Sequence, residues 1–95
     1  MTKSKISGIY QIKNTQNNKI YIGSSTNFSM RWKKHKYDLS KNKHSNQLLQ
    51  RAWNKYGKET FEFSIIKLCP PNTDILLFFE QHYLDYYWDN GYNCY

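Results

Sequence analysis

Acidic residues are scarce at the start of this 95-residue chain. Residues 1–58 contain one, Asp38, against thirteen lysines and arginines, a net of +12. Residues 59–95 reverse the balance, with Lys67 alone against Glu59, Glu62, Asp74, Glu80, Asp85 and Asp89, a net of −5. Long apolar runs are also lacking. None approaches the roughly 18 residues that a membrane span needs, which rules out an integral membrane helix. Cysteine is limited to Cys69 and Cys94, with no Cys-x-x-Cys pair and no histidine at zinc spacing. Reduced, structural thiols in a cytoplasmic or other reducing compartment are the expectation. The start Met1-Thr2-Lys3-Ser4-Lys5 has no apolar segment of the signal-peptide kind. No Pro/Gly/Ser-rich linker and no internal repeat divides the chain, so residues 1–95 read as one domain.

Aromatic residues are plentiful: nine Tyr, five Phe and three Trp make up 18% of the chain, too many for a disordered tail. A chain of this length buries roughly two-thirds of the surface its unfolded form exposes, enough for one modest core. The overall net charge of +7 points to a polyanionic partner. The basic segment interleaves lysine with Trp32, Tyr37, Trp53 and Tyr56, as nucleic-acid surfaces often do. Composition alone does not separate such a surface from an ordinary lysine-rich solvated face.

The pattern predicts a small α+β fold. Residues 6–13, with Ile6, Gly8, Tyr10 and Ile12 on one parity, read as a strand. The polar cluster 14–18 is a turn, and residues 19–23 return as the second strand of a hairpin. Ser24, Ser25 or Thr26 caps a helix of about a dozen residues ending near Leu39, with Phe28, Trp32, His35 and Leu39 as its core stripe. Ser45 or Asn46 caps a second helix bearing Leu48, Leu49, Ala52, Trp53 and Tyr56, stopped by Gly57. Phe61, Phe63 and Ile65 alternate as a third strand, halted by Pro70-Pro71. Asn72 or Thr73 caps a third helix with Leu76, Phe79, Glu80, Tyr83 and Tyr87 on one side, and the tail around Gly91-Tyr92-Asn93 is too short for a further element. The order ββααβα predicts a three-stranded antiparallel sheet flanked by three helices.

Three features stand out from this pattern. Glu80 lies within an apolar helical stripe, where a carboxylate must find a cation, reach solvent or raise its pKa. Arg31 and His35 project together from one helix edge at i, i+4, and Arg31 is one of only two arginines among fourteen basic residues. His35 also falls on the core stripe, where a hydrogen-bonded structural histidine is the plainer reading. Tyr10 and Tyr21 share a sheet face only if paired residue numbers sum to an odd value. A four-residue loop over Asn14–Asn17 gives a sum of 31 and sets Tyr10 directly opposite Tyr21.

Gly8-Ile9-Tyr10 and Tyr21-Ile22-Gly23, separated by residues 11–20, resemble the namesake tripeptides of the GIY-YIG nucleases. Arg31 and His35 resemble that family's Arg-x-x-x-His helix, Glu80 its late-helix glutamate and Asn93 its terminal asparagine. His44 matches a further histidine of homing members. The likeness extends over residues 7–95. The wording around Ser7-Gly8-Ile9-Tyr10, Arg31-Trp32-Lys33-Lys34-His35 and Trp53-Asn54-Lys55-Tyr56-Gly57 is similar to the nuclease domain of phage intron-encoded homing endonucleases.

The resemblance implies a metal-dependent DNA endonuclease domain that hydrolyses phosphodiesters. One divalent ion, Mg²⁺ or Mn²⁺, is expected on Glu80, since a lone carboxylate suits an ion that keeps several waters. Tyr10 is then the water-activating group, with His35 accepting or polarising its proton. Tyr21 positions the water or phosphate, Arg31 holds phosphate charge with its fork of donors, and Asn93 anchors the site. His44 completes the catalytic set or merely touches DNA backbone. Lys33, Lys34, Lys36, Lys41 and Lys43 are expected on the backbone of double-stranded DNA. The isolated domain is expected to be monomeric and to act without a membrane, with a separate DNA-binding domain in the parent protein. The alternatives are a restriction or repair nicking enzyme of the same superfamily, or a basic module that binds nucleic acid without cutting it.

Overall fold

The computed structural model describes residues 6–89 and Tyr95. Strands β1 (Gly8–Asn14), β2 (Ile20–Ser25) and β3 (Phe61–Leu68) form one antiparallel sheet in the order β2-β1-β3. Helices α1 (Phe28–Ser40) and α2 (Gln47–Tyr56) follow the hairpin, a single 3-10 turn at Lys58–Thr60 leads into β3, and α3 (Thr73–Asp89) comes last. The expected ββααβα order holds. Among the described residues no helix is long and apolar enough to cross a membrane.

The sheet divides the core in two. Tyr10 and Ile12 of β1 face α1 and α2, and pack with Phe28, Leu39, Leu49, Ala52 and Phe61. Ile9 of β1 and Ile20 and Ile22 of β2 face the other way, and pack with Cys69 and with Leu76 of α3. This is the period-two alternation of a sheet covered on both sides. Ile9, Ile12, Leu39 and Leu49 are fully buried, and each such aliphatic side chain contributes about 1.5–3 kcal/mol. Cys69 is a buried free thiol; Cys94 lies outside the described residues.

Local chemistry explains the element ends. Asn46 caps α2, its side chain accepting from Leu49 N–H at 3.0 Å, and Gly57 ends that helix at φ 89°. Asn72 caps α3 by accepting from Ile75 N–H at 3.1 Å. The cap of α1 is Asn27, which accepts from Met30 N–H at 3.3 Å, rather than Ser24, Ser25 or Thr26. The sheet takes the two serines: β2 continues to Ser25, which pairs with Gly8, and the Ser25 hydroxyl accepts from Asn27 N–H at 2.9 Å.

The hairpin register differs from the expected value but keeps its parity. Asn14 and Lys19 close a four-residue loop over Thr15–Asn18, so paired numbers sum to 33. The loop has the expected length but starts one residue later. Asn14 stays buried in the strand, with Oδ1 accepting from Gln16 N–H at 3.0 Å, and Asn18 takes the left-handed conformation at φ 62°. Tyr10 therefore lies opposite Gly23, and Tyr21 opposite Ile12. The two tyrosines still share a face, with ring centroids 6.4 Å apart. A Cβ on Gly23 would sit 2.5 Å from Tyr10 Oη, so the bare glycine makes room for the Tyr10 ring.

Candidate active site

A chain of hydrogen bonds runs from the centre of the sheet to the start of α2. Tyr10 is completely buried, and its Oη lies 2.5 Å from His35 Nε2 on α1. His35 Nδ1 lies 2.7 Å from His44 Nε2, and the two imidazole planes are within 21° of parallel. His44 Nδ1 accepts the backbone N–H of Asn46 at 3.0 Å. Tyr21 flanks the chain, its ring centroid 5.3 Å from His35 and 6.1 Å from His44. His44 keeps its expected place in the loop between α1 and α2, but its ring is drawn inward, 9% exposed.

The last bond in this chain fixes the others. A backbone N–H can only donate, so His44 Nδ1 holds a lone pair, and neutral His44 carries its proton on Nε2. That proton is donated to His35 Nδ1, which leaves the His35 proton on Nε2, donated to Tyr10 Oη. Both rings are neutral near pH 7. Burial, then Arg31 and His44, lower the His35 pKa to about 4, and burial lowers that of His44. In this arrangement His35 faces the Tyr10 oxygen as a donor through Nε2–H. The phenolic hydrogen of Tyr10 is left to point elsewhere.

Arg31 lies one helical turn before His35 and stands at the solvent side, exposed. Burial would lower its pKa, but hydrogen bonding and charge from Tyr10, then Tyr21, raise it further above its usual value. The same contact works on Tyr10. Burial, then Tyr21, push the Tyr10 pKa well above its usual range, and the Arg31 hydrogen bond only partly opposes them. The phenol is therefore protonated at neutral pH.

Glu80 reaches the same end of the sheet from the opposite face. The Ser24 hydroxyl, next to Gly23 on β2, donates to Glu80 Oε1 at 2.7 Å. Among the described residues the one ion pair is Lys34–Asp38 at 3.2 Å, so Glu80 is not part of a salt bridge there. No group of three or more His, Cys, Asp or Glu side chains among the described residues could hold a metal. A half-buried single carboxylate beside a hydroxyl is instead a hard-oxygen donor pair, which fits an ion that retains water and borrows substrate oxygens. Asn93 lies outside the described residues.

Lys33, Lys34, Lys36, Lys41 and Lys43 are all exposed on α1 and the loop after it. Lys34 is tied to Asp38, Lys36 sits 4.9 Å over the Phe63 ring, and Lys41 and Lys43 lie 5.9 and 5.5 Å over Tyr37. Sequence reasoning missed Ser24, Asn46 as a partner of His44, and Gln50. Ser24 directly follows the Tyr21-Ile22-Gly23 tripeptide, which is the signal that marks it. The other two act through contacts that only the folded loop creates.

Residues 6–93 match the model of the GIY-YIG catalytic domain. The chain belongs to the GIY-YIG family. Among its relatives is intron-associated endonuclease 1 of Enterobacteria phage T4, 52% identical over 71 residues, which cover 75% of this chain and 29% of that protein. The probable intron-encoded endonuclease 1 of Neurospora crassa is 47% identical over 58 residues, 61% of this chain and 18% of that protein. The chain thus spans less than a third of the length of either. Two solved structures of the catalytic domain of the homing endonuclease I-TevI share the GIY-YIG fold at 46% identity, with TM-scores of 0.82 and 0.81. They match 93% and 92% of this chain and 92% and 96% of theirs.

Proposed function

We propose that this GIY-YIG domain is the catalytic part of a homing-type endonuclease that hydrolyses DNA phosphodiester bonds with the help of one divalent metal ion. The observation that carries the reading is the hydrogen-bonded Tyr10–His35–His44 chain, with Arg31 at its mouth and Glu80 across the sheet edge. The intron endonucleases among its relatives favour the homing type over a restriction or repair enzyme.

Hydrolysis adds water across the P–O3′ bond: hydroxide goes to phosphorus and a proton to the 3′ oxygen. Tyr10, as phenolate, accepts a proton from the attacking water. The His35 Nε2–H and the Arg31 guanidinium both donate toward the Tyr10 oxygen and favour its charged form. Tyr21 orients the water or the scissile phosphate. Arg31, with fork geometry and a permanent charge, meets the charge that develops on the phosphoryl oxygens. Glu80, steadied by Ser24, would hold Mg²⁺ or Mn²⁺. The ion would supply Lewis-acid stabilisation at the leaving 3′ oxygen. Asn93 completes the set as an anchoring hydrogen-bond residue. The exposed lysines of α1 and its following loop supply sequence-independent contact with the backbone of double-stranded DNA, and specificity is left to a separate DNA-binding domain.

A supercoiled plasmid incubated with the domain, with and without Mg²⁺ or Mn²⁺, tests this directly. Ion-dependent conversion to nicked or linear form, abolished by EDTA, is the expected result. Equal cutting in EDTA would remove the metal from the reading. Binding without cutting under every condition would make the domain a non-cleaving module.

A further inference from the structure

Gln50 is 7% exposed, inside α2, and every hydrogen-bonding group of its amide is used. Oε1 accepts the backbone N–H of His44 at 3.0 Å. Nε2 donates to the Leu39 carbonyl at 2.9 Å and to Asn54 Oδ1 at 3.0 Å. One side chain therefore ties together the end of α1, the loop that carries His44, and α2. The backbone N–H of Gln50 donates to the Asn46 carbonyl at 3.0 Å, so the tie is rooted one helical turn from the residue that contacts the His44 ring.

We infer that Gln50 is a positioning residue for the proton chain: it holds the His44 loop so that the Asn46 N–H meets His44 Nδ1, and so sets the hydrogen positions out to Tyr10 Oη. The His44–Asn46 contact spans two residues of loop; His35 and Tyr21 hold the His44 ring, but the loop backbone at His44 is tied to the helices by Gln50. Gln50 supplies that restraint, its amide accepting from His44 N–H through Oε1 while Nε2 donates to both the Leu39 carbonyl and Asn54 Oδ1. Released from Gln50, the His44 ring can leave the Asn46 N–H. The proton on His44 then sits on either nitrogen, and His35 faces Tyr10 as donor or as acceptor. The supporting groups around the pair, Arg31, Asp38 and Lys34, lie on α1 and are untouched by that change. The catalytic consequence rests on the proposed function; the tautomer consequence does not.

The test is two-bond ¹H–¹⁵N correlation NMR of the histidines at neutral pH, with plasmid nicking as a parallel readout. In the unaltered domain, His35 and His44 are each expected as a single Nε2–H tautomer. Gln50→Met keeps the side-chain volume and removes all three bonds. It should give mixed tautomers at both histidines, with cutting slowed about 100-fold, the loss that small misplacements at a site produce. DNA affinity should stay unchanged. Asn54→Ala removes the bonds of Asn54 to Gln50 and to Asn42 but leaves those of Gln50 to His44 and Leu39, and should keep the wild-type tautomers. If Gln50→Met does not fold, as judged by circular dichroism, Gln50→Asn replaces it, one methylene too short to reach His44, with the same expectations. A folded Gln50 variant with unmixed Nε2–H tautomers, or an Nδ1–H tautomer at His44 in the unaltered domain, would overturn the inference. A domain that never cuts DNA but gives the expected tautomer changes would instead reject the nuclease reading and leave the role of Gln50 standing.

Discussion

Acid should destabilise this domain through His35 before most carboxylates titrate. In the unfolded chain His35 has its ordinary pKa of 6.5; in the folded chain, burial and the nearby Arg31 charge lower it to about 4. Between these values the unfolded state binds more protons, so stability falls as pH is lowered and is unaffected above both values. With each pKa unit worth about 1.36 kcal/mol, the full loss is about 3 kcal/mol, of which about 2.5 kcal/mol is already gone at pH 4.5. The buried His44 is shifted in the same direction and adds to the loss. Set against the roughly 5–15 kcal/mol that holds a small domain together, this is a large fraction. It corresponds to a fall in melting temperature on the order of 10–20 °C. Thermal melts followed by circular dichroism from pH 7.5 to 4.5 measure it, and His35→Gln should flatten the slope. A wild-type melting temperature unchanged over that range would refute the reasoning. So would an NMR titration of His35 in the folded domain centred near 6.5.

Three other changes test the site. Gly23→Ala puts a Cβ 2.5 Å from Tyr10 Oη and 2.6 Å from Cζ, against a ring already packed by Phe28 and Trp32. It should cost about 1–3 kcal/mol in a denaturation curve and slow cutting about 100-fold by moving Oη off His35. Wild-type values of both would mean that the ring has room to move. Tyr10→Phe should lower the rate by about 10²–10⁴. Because the Tyr10 pKa is raised, the wild-type rate should climb about tenfold per pH unit between pH 7 and 9, and a plateau across that range would remove Tyr10 as the base. Glu80→Ala deletes a half-buried carboxylate with one hydrogen bond, so stability should change by only about 1 kcal/mol while Mg²⁺-dependent cutting disappears. Wild-type cutting by that variant would end the assignment of the metal to Glu80.

Local signals carried most of the fold. Asn46, Asn72 and Gly57 cap or stop helices by short-range chemistry, so they are legible one residue at a time. The cap of α1 was not, because strand pairing with Gly8, a non-local event, decides that Ser24 and Ser25 belong to the sheet. The hairpin was readable in parity but not in value. Period-two alternation fixes which residues share a face, whereas the exact frame depends on Asn14 staying buried and Asn18 turning left-handed. At the site, the tripeptides and the Arg31–His35 spacing were visible as patterns, and Glu80 as a charge among apolar neighbours. The inward turn of His44 depends on Gln50 and Asn46, whose polar side chain and backbone look unexceptional until the loop closes.

The sheet is a wall between two half-sites. The Tyr10–His35–His44 chain stands on the side covered by α1 and α2, while Glu80 arrives from the other side on α3. During synthesis the ribosome releases the first set well before the second, and Glu80 reaches Ser24 only after β3 has been passed and α3 has docked. Under the proposed chemistry, the growing chain is inert toward DNA until α3 has docked on the sheet.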